Sequence, residues 1–215
     1  MSLLRRSPAP IVERTAAEQA ILGLEREIRA HRPSLPPVGL AATQPRPLSG
    51  PRAAKVLLLL ADLSQQQVLV GRAAEARSTI GEASLVLAEL EALRDPDMTA
   101  IAHGAVMIGE ALLAIDSPKH ATVRFERGIE ILDLQATEPR WRVRARLGLG
   151  RTLVALDDIR GLQVLEDCEQ LCRMLGDHEG LLQIEKELRE AEKVFDTPRH
   201  IHTGYGRPVA VAAPR

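Results

Sequence analysis

Cys168 and Cys172 stand four residues apart, and His178 follows shortly after. Thiolate and imidazole are zinc ligands, so this trio is the first candidate for chemistry. A structural zinc site wants four ligands at tight spacings, and only three lie nearby. Two cysteines four apart on one helix face are badly placed for a disulfide. Both read better as small, buried apolar side chains. His200 and His202 form a second pair, in a stretch without periodicity, and read as solvated loop histidines. Nucleophilic or phosphate chemistry has no better footing. The chain has no Gly-x-Ser-x-Gly elbow, no phosphate loop and no Gly-x-Gly-x-x-Gly. Gly148-Leu149-Gly150 falls inside a helical pattern, where glycine costs roughly 1 kcal/mol against alanine. Close helix contact explains it better than a ligand. Asp157-Asp158 reads as a turn. No catalytic residue, metal or cofactor is therefore expected, and the chain does not read as an enzyme.

Arginine supplies the remaining cluster: Arg140, Arg142, Arg144, Arg146 and Arg151. On a helix, Arg140, Arg144 and Arg151 share one face. They could form the basic end of a binding surface. They could equally be ordinary surface partners of Glu and Asp, which is what charged helix faces usually are. Which of these holds depends on the elements that carry them.

Those elements repeat. After Gly71, small and large apolar residues alternate at helical steps: Ala76, Ile80, Ala83, Leu87. After Asp116 the series is Ala121, Phe125, Gly128, Leu132, and after Asp157 it is Gly161, Leu165, Cys168, Cys172. Steps of four and three keep these on one face. Small residues let another helix approach, and large ones fill the gaps. A second helical pattern precedes each series, over about 52–70, 97–115 and 140–156. These end in matched pairs, Leu63-Ser64, Ile108-Gly109 and Leu149-Gly150, each seven residues before the turn for the small member. The unit is helix, short turn, helix, made three times. Gly71, Asp116 and Asp157 suit a helix exit or a new N-cap.

This pattern resembles the tetratricopeptide repeat family. Ile108-Gly109, Leu112, Ala121, Phe125 and Gly128 carry the resemblance best, with Leu63, Gly71, Ala76, Ile80 and Ala83 in the first copy and Leu149-Gly150, Leu153 and Leu165 in the third. It covers roughly residues 52–175. The turns are 45 and 41 residues apart, against a family standard of about 34, and Gln67 stands where an aromatic is usual. The resemblance implies an all-α superhelical stack of three hairpins. It also implies a groove lined by the first helix of each. Carried over by position, the lining is Ala61, Gln65 and Val68; His103, Val106, Glu110 and Leu113; Arg144, Leu147, Arg151 and Val154. That describes an apolar floor with a basic end.

The rest of the chain frames this domain, 52–196. Residues 1–31 hold an amphipathic helix over about 13–30, with Thr15 and Glu18 as a capping box and a stripe of Ala17, Ile21, Leu24 and Ile28. Ile21, Leu24 and Ile28 make it a docking helix, because so short a helix alone is marginal in water. Prolines at 33, 36, 37, 45, 47 and 51 mark 32–51 as a linker. Prolines at Pro51, Pro96, Pro118 and Pro139 mark helix starts. From Asp177, Leu181, Ile184, Leu188, Ala191 and Phe195 line one side of a helix and charges the other, as in a capping helix. Residues 197–215, with Tyr205 and Val209-Ala210-Val211, form an irregular tail.

Only 2% of the chain is aromatic, so Leu, Ala and Val must build the core, which suits close-packed helices. A net charge of −1 gives no global pull toward nucleic acid or membrane. No apolar run is long enough to span a bilayer, and no secretory signal is evident. A cytoplasmic protein is expected. Its function would be protein-protein interaction: a scaffold that binds a partner's helix or extended peptide in its groove. The alternative is a structural self-assembly subunit, a homo-oligomer whose N-terminal helix or C-terminal tail docks on neighbouring copies.

Overall fold

The computed structural model describes residues 11–31, 49–135 and 138–195. Among them are eight α-helices and no strand: α1 (Ile11–His31), α2 (Gly50–Leu69), α3 (Ala73–Glu91), α4 (Met98–Ala114), α5 (Pro118–Gln135), α6 (Pro139–Ala155), α7 (Arg160–Leu175) and α8 (His178–Phe195). The all-α expectation holds. None of these helices is long and apolar enough to cross a membrane.

Local chemistry sets the helix boundaries. Pro51, Pro118 and Pro139 sit in the first turns of α2, α5 and α6, where a missing N–H costs nothing. α4 starts where the 97–115 pattern places it, after Asp97, whose Oδ1 accepts from the Ala100 N–H at 3.0 Å, so only the proline marker at Pro96 falls before the helix. α1 starts at Ile11 and runs through Thr15, so Thr15 is not its cap.

Four helices end alike. Gly71, Asp116, Asp157 and Gly176 take φ of 81°, 62°, 57° and 67°. The N–H of the next residue then reaches back to a carbonyl five residues earlier. The pairs are Arg72 to Gln67 (2.8 Å), Ser117 to Leu112 (2.9 Å), Asp158 to Leu153 (2.9 Å) and Asp177 to Cys172 (3.0 Å). This left-handed exit satisfies the last carbonyls and turns the chain within a few residues.

α2 packs on α3, α4 on α5 and α6 on α7. The first member of each pair also touches the next, α2 to α4, α4 to α6, and α6 to α8, while α1 touches α2. Every member of the three small-large series is buried. Leu57 lies against Gly104, Leu165 against Gly150, and the Phe125 ring against both Gly109 and Gly148. One apolar core runs from α1 to α6, and a second joins α6, α7 and α8. α6 serves both: Ala145, Leu149 and Leu153 face the first, Val143 and Leu147 the second. Ile21 and Ile28 of α1 are buried in the first core with Leu24 packed beside them, and Lys55 of α2 pairs with Glu27 at 2.9 Å.

Glycine substitutions should separate the two roles of this residue. Gly81 is exposed in mid-α3 and a Cβ there would meet nothing, so Gly81→Ala should stabilise by up to about 1 kcal/mol. At Gly148 a Cβ would lie 2.9 Å from Phe125 Cδ1 and closer still to the ring edge. Gly148→Ala should therefore cost roughly 1–3 kcal/mol by overpacking. Opposite shifts in thermal midpoint are expected, and equal shifts would contradict this packing.

Gln67 gives a second test. It is buried, its Oε1 meets no donor among the described residues, and Leu112 and Leu153 hold the same place before the other two turns. Gln67→Leu should stabilise by about 1–3 kcal/mol, the desolvation cost of an unpaired amide oxygen, as read by chemical denaturation.

Candidate functional site

Gln65, Glu110 and Arg151 each follow the small residue of their helix, Ser64, Gly109 and Gly150. Gln65 and Glu110 meet the next first helix, and Arg151 meets α8. Gln65 Nε2 of α2 donates to the Met107 carbonyl at 3.2 Å and to Glu110 Oε2 at 2.6 Å on α4. Arg144 of α6 donates from Nε and Nη2 to Glu110 Oε1 and Oε2, both at 2.6 Å. Arg151 Nη2 of α6 donates to Glu187 Oε1 of α8 at 2.5 Å. A polar ladder thus crosses the set of first helices. Arg144 and Glu110 are about a third exposed, so water screens them and the pair contributes on the order of 0.2–1 kcal/mol. Its larger effect is geometric, because a planar fork on a carboxylate fixes register.

An aromatic platform adjoins the ladder. Trp141, the chain's single tryptophan, stacks on the His103 ring with centroids 3.9 Å apart and planes 13° apart. The Arg144 guanidinium carbon lies 4.6 Å from the Trp141 centroid, a cation-π contact. Glu138, just before α6, has φ 55° and ψ 63°. A side chain in that left-handed region costs roughly 1–2 kcal/mol. Its Oε2 lies 2.5 Å from His103 Nε2. That nitrogen makes no aligned hydrogen bond among the described residues.

Four of the expected groove residues, Gln65, His103, Glu110 and Arg144, therefore meet at one place. Arg151 lies further along, tied to α8. Val68, Leu113 and Val154 are half-buried and pack against the cores. Val106 and Leu147 correct the expectation, as does Ala61. All three are buried, Val106 where α4 meets Gly128 of α5, and Leu147 in the core shared with α7 and α8. Each first helix has neighbours on several sides, so those register positions fall in contacts rather than on a floor. The basic end is also not free charge. Arg144 and Arg151 spend theirs on Glu110 and Glu187, while Arg142 and Arg146 turn to Asp133 of α5 at 3.1 and 2.7 Å.

Sequence reasoning missed Trp141 and Glu138. Trp141 stands one helical turn before Arg144, on the same face, and its rarity in this chain was the available signal. Nothing in the local sequence marks Glu138 as left-handed.

Cys168 and Cys172 are both buried, and Cys168 Sγ lies 3.4 Å from the Val143 carbonyl oxygen. Burial pushes the Cys168 thiol up to about 12, helped by the neighbouring Cys172. Cys172 is also raised, by burial and then by Asp177. His178 is exposed, and among the described residues no three His, Cys, Asp or Glu side chains converge as a metal site would need. His200, His202 and Tyr205 lie outside the described residues.

No family model matches the chain, and no curated protein matches it.

The thiols yield a test. A buried, protonated thiol is a poor nucleophile, so a thiol reagent at mild pH should modify both cysteines only as fast as the protein unfolds. Rapid labelling of Cys168 in the native state would contradict its burial. The raised values also set a sign. The thiols' contribution is full below the ordinary thiol range, near 8.5, and is lost as pH climbs toward about 12. Cys168→Ala should flatten that alkaline decline in melting temperature.

Proposed function

We propose that the chain is a protein-protein interaction scaffold, built as a tetratricopeptide-repeat-like stack of three hairpins, α2–α3, α4–α5 and α6–α7, with α8 as its cap. The inner side of α2, α4 and α6 forms its groove, which takes a helix or extended peptide of a partner protein. Three matched small-large faces, three left-handed turns at equivalent places and the contacts between successive first helices support this architecture.

One observation carries the functional reading. The only tryptophan of the chain is half-buried beside the polar ladder, held by His103 and Arg144. Tryptophan and arginine dominate binding energy where proteins meet. The reading needs no cofactor, and two free thiols suit a reducing cytoplasm.

The second reading is a self-assembling subunit that docks through its N-terminal helix or tail. Burial of Ile21 and Ile28 in the core of their own chain favours the scaffold over it.

Affinity capture with the full chain, followed by mass spectrometry, tests both. Trp141→Ala should weaken capture of the bound protein by about 2 kcal/mol, roughly thirtyfold, with helical circular dichroism unchanged. Equal capture by wild type and variant would remove the groove from consideration. Concentration-dependent multimers in sedimentation that vanish on deleting residues 1–50 would instead favour self-assembly.

A further inference from the structure

We propose that α1 is an exchangeable occupant of its seat on α2, and that the same seat takes an amphipathic helix of a partner protein. This holds whether or not the inner side of α2, α4 and α6 takes a peptide.

Three independent features set α1 apart. The first is its attachment. Among the described helices α1 touches α2 alone, whereas each of the others touches at least two. α3 and α5 each lie between their own first helix and the next one. α1 takes such a place with only the following helix beside it. The second is its connection. Eighteen residues separate α1 from α2, while the other connections have between two and six. Glu27, in the last part of α1, pairs with Lys55, in the first part of α2, at 2.9 Å. The two ends therefore lie side by side, and a short connection would join them. Eighteen residues span roughly 60 Å when extended, enough for α1 to leave its seat without pulling on α2. The third is Gly23. It stands exposed in the middle of α1, and a Cβ there would meet nothing within 4 Å. No close approach calls for this glycine, so its effect is to weaken the helix.

The seat is nonetheless selective, and α1 shows what it selects. Ala17, Ile21 and Ile28 are buried, and Leu24 packs against the same core. The pattern is one small residue and three aliphatics, at steps of four, three and four, with an acid just before the last to meet Lys55. A partner's helix with this stripe would bury the same apolar side chains and keep the ion pair. With alanine in the place of Gly23 it would hold its helical form better than α1 does. The tether works the other way, by keeping α1 at high local concentration. α1 is thus a built-in competitor, displaced only by a helix that fits the seat better.

Amide exchange and a fluorescein-labelled synthetic peptide of residues 11–31 test this on the full chain. In the wild type, amides across 16–31 should exchange through an opening that leaves α4 and α6 protected. G23A should slow that exchange about fivefold. I21D should release α1 and speed exchange at 16–31 and along α2. Freed of the tethered competitor, it should bind the peptide at least about tenfold more tightly than the wild type does. Bound peptide should restore the wild-type protection of α2. Exchange at 16–31 as slow as in α4, equal peptide affinity in the wild type and I21D, or peptide binding that leaves α2 unprotected would each overturn the proposal. Wild-type dimers that grow with concentration and vanish in I21D would make a second copy the occupant and overturn the partner. G23A touches no packed side chain, so its exchange decides the matter even where I21D fails to fold, and an unchanged rate there would overturn the exchangeable helix.

Discussion

Phe125 has to lie between two glycines. Its ring is fully buried and touches Gly109 of α4 on one side and Gly148 of α6 on the other. Any β-carbon at Gly148 would enter the space of the ring, so α4, α5 and α6 fit at this distance only because two side chains are missing. The same device recurs where Gly161 meets the α6 backbone. There a Cβ would lie 3.0 Å from the Gly150 oxygen and 2.9 Å from the Val154 nitrogen. With two aromatic phenylalanines and one tryptophan in the chain, aliphatic bulk must be fitted by bringing backbones close rather than by large rings. Helix spacing follows from that.

The ladder is a result of that register. Gln65, Glu110 and Arg151 come after a small residue, Ser64, Gly109 or Gly150, so each emerges beside a close helix contact. From there a side chain of ordinary length spans to the next helix. The charges they carry are spent within the molecule, on Arg144 and Glu187. Beside them the Trp141 indole is half-buried, stacked on His103 and approached over its ring by Arg144.

Helical periodicity made the second helices legible in the sequence. Ala76, Phe125, Gly161 and their companions were identified in register, because a face that repeats three times leaves little freedom. The inner face was read with less success, for a physical reason. Position on a helix says which residues share a side, but not how many neighbours crowd that side. Val106 and Leu147 share the right side and are covered, by α5 and by the core with α7 and α8. The start of α4 was read near Asp97, but Pro96, taken as its marker, lies before the helix rather than in its first turn. Glu138 was out of reach altogether, since its side chain meets His103, 35 residues away in the chain.

Stacks of repeated helices ordinarily lose their ends piece by piece, since each unit leans only on the next. α6 changes that pattern. It is the shared wall of two cores, giving Ala145, Leu149 and Leu153 to one and Val143 and Leu147 to the other. Fraying that begins at α8 strips only the second core until it reaches this wall. Once α7 and α8 are gone, what still holds α6 is the burial of Ala145, Leu149 and Leu153 in the first core. Displacing α6 while the molecule is intact therefore disturbs apolar burial on both sides, which couples the two cores.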